Sequence, residues 1–274
     1  MATARSFELR ALAQRVADRL PAAAAEIVLT GSASRGVADE LSDIEMLVAA
    51  EELPPLDTCV EWAGAAGLAD VQTWSPPDAP IWWLGGVVDG VQVELIWWRR
   101  AFVEERVART LAAEIVEHQR LRTAEALVNG VALRGDALAQ WQERLRVYPD
   151  ALADAVIADA ADVWNELPAT QLTLLRPGDG LALSERLVED AQTVLRIVFA
   201  VNRVWEPGWK RLASRVEPLA LKPDRLAERI DAALATNDLR AMKELVRDTL
   251  AFAPDTPTVV RARAQVDALL VELG

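Results

Sequence analysis

The sequence predicts an α+β chain, with a sheet and flanking helices over residues 1–103 and an all-α helical bundle over 104–274. Three observations predict it. Helix-spaced and strand-spaced apolar stretches alternate up to Trp97, whereas from Phe102 onward the spacing is almost continuously helical. Glycine and proline punctuation follows the same division: Asp89-Gly90 separates two short apolar runs, while Pro168, Pro177-Gly178, Pro207-Gly208 and Pro254 mark joints between long ones. A hydrophobic content of 52% is ample for a core that needs no disulfides.

The elements follow in order. Phe7, Leu9, Leu12, Val16 and Leu20 recur at helical spacing over residues 6–20. Glu26-Ile-Val-Leu-Thr30 reads as a short buried strand running into Gly31-Ser32, where a helix starts. In Asp43-Ile-Glu-Met-Leu-Val-Ala49, Ile44, Met46 and Val48 alternate with Asp43, Glu45 and Leu47, and period two sets Asp43 and Glu45 on one face. A helix over 55–66 precedes a strand at Val71–Trp74 and a break at Pro76, Pro77 and Pro80. Two strands, Ile81–Val87 and Val91–Trp97, flank Asp89-Gly90, a strong hairpin signal. Helices then follow at 102–116, 137–145, 151–164, 181–204, 226–234, 239–252 and 259–273.

Composition narrows the function classes. The net charge of −13 and pI near 4.7 speak against a broad grip on nucleic acid, which depends on neutralising many phosphates. Cys59 is the only cysteine, so neither an internal disulfide nor a thiolate metal cluster can form, and a buried apolar thiol is expected. No stretch reaches the uninterrupted apolar length of a membrane span, and MATARSFELR lacks the pattern of a signal peptide. A soluble, cytoplasmic protein is expected.

Chemistry concentrates in the segment from Gly31 to Glu45. A strand that ends in Gly-Ser and opens a helix presents free backbone N–H groups and the positive end of a helix dipole, both suited to phosphate oxygens. Gly31 permits close approach, and Ser32 adds a hydroxyl donor. After the spacer from Ala33 to Ser42 the chain returns with Asp43 and Glu45, hard oxygen ligands of the kind Mg²⁺ takes alongside substrate phosphates. Two ions need a third acid, and Glu94 is the candidate, facing with Gln92 away from Val93 and Leu95.

Gly31-Ser32, the spacer, Asp43-x-Glu45 and the later Glu94 together resemble the polymerase-beta-like nucleotidyltransferase superfamily over about residues 25–98. The resemblance implies a mixed sheet with flanking helices, two Mg²⁺ ions held by Asp43, Glu45 and Glu94, and an NTP co-substrate. It also implies that Glu94 takes the proton of an acceptor hydroxyl. The second acid here is Glu45, where many relatives carry Asp. Within the superfamily the chain is most similar to two-domain enzymes that adenylylate aminoglycosides, on the paired helical bundle and on Asn202-Arg-Val-Trp-Glu-Pro-Gly-Trp-Lys210. That narrower likeness implies ATP, with Lys210 on its phosphates.

Other residues carry two readings each. Arg35, one turn into the helix after Gly31, is either a triphosphate contact or a surface arginine, and Lys210 is either a phosphate ligand or surface charge. Asn202 either shapes the cleft or links helices. Trp82, Trp83, Trp97, Trp98, Trp205 and Trp209 are mostly core; in each adjacent pair one member faces outward, where it can stack on a ring or base. His118, the sole histidine, reads as structural. The function expected is transfer of NMP to a hydroxyl of a small, cationic acceptor such as an aminoglycoside, with release of pyrophosphate. The alternatives are a toxin-type, protein- or tRNA-modifying transferase, and a pseudoenzyme that binds nucleotide without transferring it.

Overall fold

The computed structural model describes residues 2–76 and 80–274, so that Pro77 of the proline-rich break lies outside the described residues. The chain divides into two units: one is 1–109 with 123–147, the other 110–122 with 148–274.

The first unit is built on α1 (Ala4–Arg19), β1 (Glu26–Thr30), α2 (Gly31–Arg35), β2 (Ile44–Ala50), α3 (Leu56–Ala65), β3 (Ala69–Trp74), β4 (Ile81–Val88) and β5 (Val91–Arg99). It is completed from α4 (Arg100–Leu111), α5 (His118–Val128), β6 (Val131–Arg134) and α6 (Ala137–Leu145), the division into units falling inside α4 and α5. Among the described residues six strands form one sheet in the order β3-β4-β5-β2-β1-β6. Only β2 and β5 pair in parallel; every other neighbour is antiparallel. The fold class is the expected α+β with a mixed sheet.

The pattern of side chains explains the layers. On one sheet face Leu29, Met46, Leu84, Leu95 and Trp97 are fully buried, together with Leu9, Ala13 and Val16 from α1 and Cys59 and Ala63 from α3. Thr3 caps α1 by accepting from Ser6 N at 3.1 Å. The β4–β5 hairpin turns on Asp89 (φ 51°) and Gly90 (φ 78°), the two left-handed residues such a tight turn requires. Burial pushes the Cys59 thiol up to about 12 from 9.0. At pH 8 its thiolate is therefore about 10³-fold scarcer than in an unfolded chain, and iodoacetamide labelling should be slowed by about that factor until denaturant is added.

The first unit extends past residue 103, where the sequence analysis ended it. Chain beyond that point returns as β6 to the edge of β1, with Leu29 opposite Val131 and Ile27 opposite Arg134. Arg134 gives the return its purpose. Its guanidinium donates to Leu20 O at 3.0 Å, Pro21 O at 2.8 Å, Ala24 O at 3.1 Å and also to Ala17 O, satisfying carbonyls left open where α1 ends. Four residues, Val-Ala-Leu-Arg, are too few to separate strand from helix periodicity, so the segment was invisible to pattern alone.

The second unit holds α7 (Asp150–Asp162), α8 (Pro168–Leu172), α9 (Gly180–Val201), α10 (Leu212–Val216), α11 (Leu226–Thr236), α12 (Leu239–Leu250) and α13 (Pro257–Glu272). The long α9 packs on α7, α11 and α12. Asp238 caps α12 through Ala241 N at 2.9 Å, and Thr256 with Pro257 starts α13. No helix among the described residues is long and apolar enough to cross a membrane.

Candidate active site

Sheet register gathers the acids. Glu45 of β2 lies opposite Glu94 of β5 in the parallel ladder. On one side Thr30 of β1 pairs with Glu45; on the other, Gly85 of β4 pairs with Glu94 and Gln72 of β3 with Gly85. Thr30, Glu45, Glu94, Gly85 and Gln72 thus form one row across five strands, on the face opposite Leu29, Met46, Leu95 and Leu84. Neighbouring strands are about 5 Å apart, so the two half-buried carboxylates are adjacent. Gln92 Nε2 donates to Glu94 Oε1 at 3.3 Å.

Gly31 closes one end of the row. Its φ is +72°, and a Cβ built there would stand 2.6 Å from Glu45 Oε2. Only glycine combines that left-handed backbone with room for the carboxylate to lie against the turn. Thr30 spends its hydroxyl on Glu45 O, at 3.2 Å, and leaves the start of α2 without a side-chain cap. The helix runs only from Gly31 to Arg35, so it offers an anion backbone N–H groups rather than the macrodipole expected from the sequence. Arg10 of α1 fixes its direction, donating to Ala33 O at 2.9 Å and Ser34 O at 2.6 Å.

The spacer shapes itself locally. Asp39 Oδ1 accepts from Leu41 N at 3.2 Å and from Ser42 Oγ at 2.8 Å, an Asx-type turn that leads the chain into β2. Asp43 sits one residue before Ile44, the first residue paired with β5, and is half-buried. Among the described residues no group of three or more His, Cys, Asp or Glu side chains is arranged to hold a metal ion. The acids brought into direct register are two, Glu45 and Glu94.

The remaining candidates fall as follows. Ser32 is half-buried at the start of α2. Arg35 pairs with Glu125 of α5 at 3.5 Å, and Asn129 Nδ2 donates to the same carboxylate oxygen at 3.2 Å. Lys210 is exposed in the second unit, outside the row of acids in the first. Asn202, the residue that ends α9, ties down the loop ahead of α11, donating to Leu221 O at 2.8 Å and accepting from Leu221 N at 2.9 Å.

The tryptophans depart from expectation at one pair. Trp97 is fully buried in the core beside Trp62, but its neighbour Trp98 is also buried, 5.4 Å from Phe102 with Arg106 over its ring. Both faces of the sheet are covered there, so alternation does not deliver one of that pair to solvent. The other pair divides as expected. Trp82 donates to Pro54 O at 2.7 Å, and Trp83 is half-buried on the face of Glu45 and Glu94. In the second unit His118 is structural, its Nδ1 2.5 Å from Glu206 Oε1 and its ring stacked on Trp209 at 4.1 Å. Two cavities of about 490 and 580 Å³ are lined by residues of the second unit and touch none of the acids above.

A family model described as a domain of unknown function, DUF4037, matches residues 114–211. The solved structure of a nucleotidyltransferase-like protein from Exiguobacterium sibiricum 255-15 is similar at a TM-score of 0.36 and 12% identity, over 90% of this chain and 68% of that one. No curated protein matches the chain in sequence. Neither likeness names a substrate.

Proposed function

We propose that the chain is a metal-dependent nucleotidyltransferase that moves an NMP, AMP in the first instance, from an NTP to a hydroxyl of a small cationic acceptor of the aminoglycoside kind. The observation that carries this is the pairing of Glu45 and Glu94 in register, with the uncapped Gly31-Ser32 turn against Glu45. Two like charges facing each other across a ladder repel, and a cation between them relieves that repulsion.

The donor set fits Mg²⁺, which is held through one or two carboxylates and keeps its other positions for water and substrate phosphates. Glu45 and Glu94 would hold it, with Asp43, two residues before Glu45 in the chain, as the further acid of the motif; when bound, the ion would stabilise charge on the phosphate oxygens. The residues do the rest. Backbone N–H groups at Gly31 and Ser32 receive the β- and γ-phosphates. Glu94 accepts the proton of the acceptor hydroxyl. The acceptor oxygen forms its bond to the α-phosphorus as the bond to the bridging oxygen breaks, and pyrophosphate departs on the opposite side. A chain carrying −13 favours a cationic acceptor and disfavours a polyanionic one such as tRNA.

A second reading, nucleotide binding without transfer, is favoured by the lack of any three-acid group among the described residues. Pyrophosphate release decides between them. With each NTP, Mg²⁺ and a panel of aminoglycosides, the wild-type chain should release pyrophosphate only when acceptor is present, and Asp43→Ala should lower the rate at least about 10²-fold. Nucleotide binding with no release from any acceptor would leave the binding protein as the better account.

A further inference from the structure

We propose that Trp83 is the platform on which the acceptor ring lies, an assignment that rests on the nucleotidyl-transfer reading above. The row of paired residues from Thr30 through Glu45 and Glu94 continues into Gly85, where a side chain is missing. The gap is filled by the indole of Trp83 from two residues earlier in β4. A Cβ built on Gly85 would stand 2.5 Å from Cη2 and 2.9 Å from Cζ2 of that ring. The indole therefore lies over Gly85 on the strand beside Glu94. None of the described ring pairs includes it, and it is half-buried.

Reaction geometry says which substrate meets it. In-line displacement puts the attacking oxygen and the departing pyrophosphate on opposite sides of the α-phosphorus. The Gly31 turn, where phosphates bind, is at one end of the row, and the carboxylates are in its middle. Trp83 fills the Gly85 position, beyond Glu94 as seen from Gly31 and next to Gln72 at the far end, on the side from which the acceptor must approach. An indole face next to carboxylates suits a saturated, hydroxylated ring bearing an ammonium group: the ring's C–H face packs on the indole and the cation is attracted by its π-electrons. Seated there, the ring offers a hydroxyl to Glu94, one strand away.

The test is equilibrium binding with saturating Mg²⁺ and α,β-methylene-ATP, using kanamycin, streptomycin and spectinomycin as probes. Trp83→Leu should weaken the bound probe about tenfold or more, while nucleotide affinity stays unchanged. Trp83→Phe should recover most of the loss. Gly85→Ala should act in the same direction as Trp83→Leu, because its new methyl displaces the indole while Trp83 remains. Trp74→Leu, opposite Trp83 in β3 but 60% exposed, should change neither affinity. Thermal melts matched to wild type exclude misfolding. If Trp83→Leu and Gly85→Ala bind the probe like wild type, the platform is refuted and nucleotidyl transfer stands. A parallel loss of nucleotide affinity also refutes it, making the indole a surface for the base. So does a wild type that binds nucleotide and none of the three probes. A wild type that binds no Mg²⁺-nucleotide overturns both the platform and the reading beneath it.

Discussion

Lys243→Ala should lower the stability of the helical unit by about 3–5 kcal/mol, the range seen when one member of a buried ion pair is deleted. Lys243 on α12 and Asp190 on α9 are both 0% exposed, with Nζ 2.6 Å from Oδ2. The second oxygen of Asp190 accepts from Trp164 Nε1 at 2.8 Å. Alanine would leave a carboxylate in the core with a single neutral donor. The thermal midpoint should fall by roughly 10 °C, followed by circular dichroism. Joint replacement, Lys243→Met with Asp190→Asn, should recover most of the loss, because no charge is then buried and the asparagine oxygen still serves Trp164. A single variant as stable as wild type would mean that the pair contributes nothing.

The same pair sets a pH dependence. Burial lowers the Lys243 pKa below the ordinary lysine range, while the Asp190 carboxylate pushes back. Between the lowered value and the ordinary one the unfolded chain binds more protons than the folded chain, so this group's contribution to stability rises with pH across that interval. The stability gap between wild type and Lys243→Met should therefore widen as pH rises through it. Cys59 and Tyr148, both raised by burial, are common to the two chains and cancel in the difference.

What could be read from the sequence divides along physical lines. β2, the β4–β5 hairpin and the long helices α7, α9, α11, α12 and α13 announced themselves, because period two, Asp89-Gly90 and long apolar stripes are local signals, whereas α8 and α10, five residues each, are too short to show a stripe. The facing of Gln92 toward the side of Glu94 also follows from alternation alone. That Glu45 and Glu94 stand opposite each other does not, since register belongs to pairs of strands and is fixed only when the sheet assembles. For the same reason Arg134 closing the end of α1 and Asp190 meeting Lys243 were unreadable: each joins groups far apart in sequence. Trp98 misled because alternation reports which face a residue takes, not whether that face is covered. Gly85 carried a usable signal. A glycine inside a strand, two residues after a tryptophan, marks a place where something lies close to the backbone.

Glu94→Gln should abolish transfer and at the same time make the apo chain slightly more stable. The two expectations have one origin. Glu45 and Glu94 face each other on adjacent strands, an arrangement that costs about 0.2–1 kcal/mol for like charges. Glutamine keeps the shape of the side chain, can still meet Gln92, and removes the repulsion, so the melting temperature without metal should rise by a degree or two. Mg²⁺ with α,β-methylene-ATP should raise the midpoint of wild type, since a ligand that binds only the folded state stabilises it, and should raise that of Glu94→Gln much less. Loss of both a metal ligand and the proton acceptor should lower acceptor-dependent pyrophosphate release by about 10³-fold or more. A structural glutamate would behave in the opposite way: its loss would destabilise the chain and leave release intact. The combination of higher apo stability with lost activity is what a carboxylate pair retained for its chemistry predicts, because repulsion between the two is useful only when a cation comes between them.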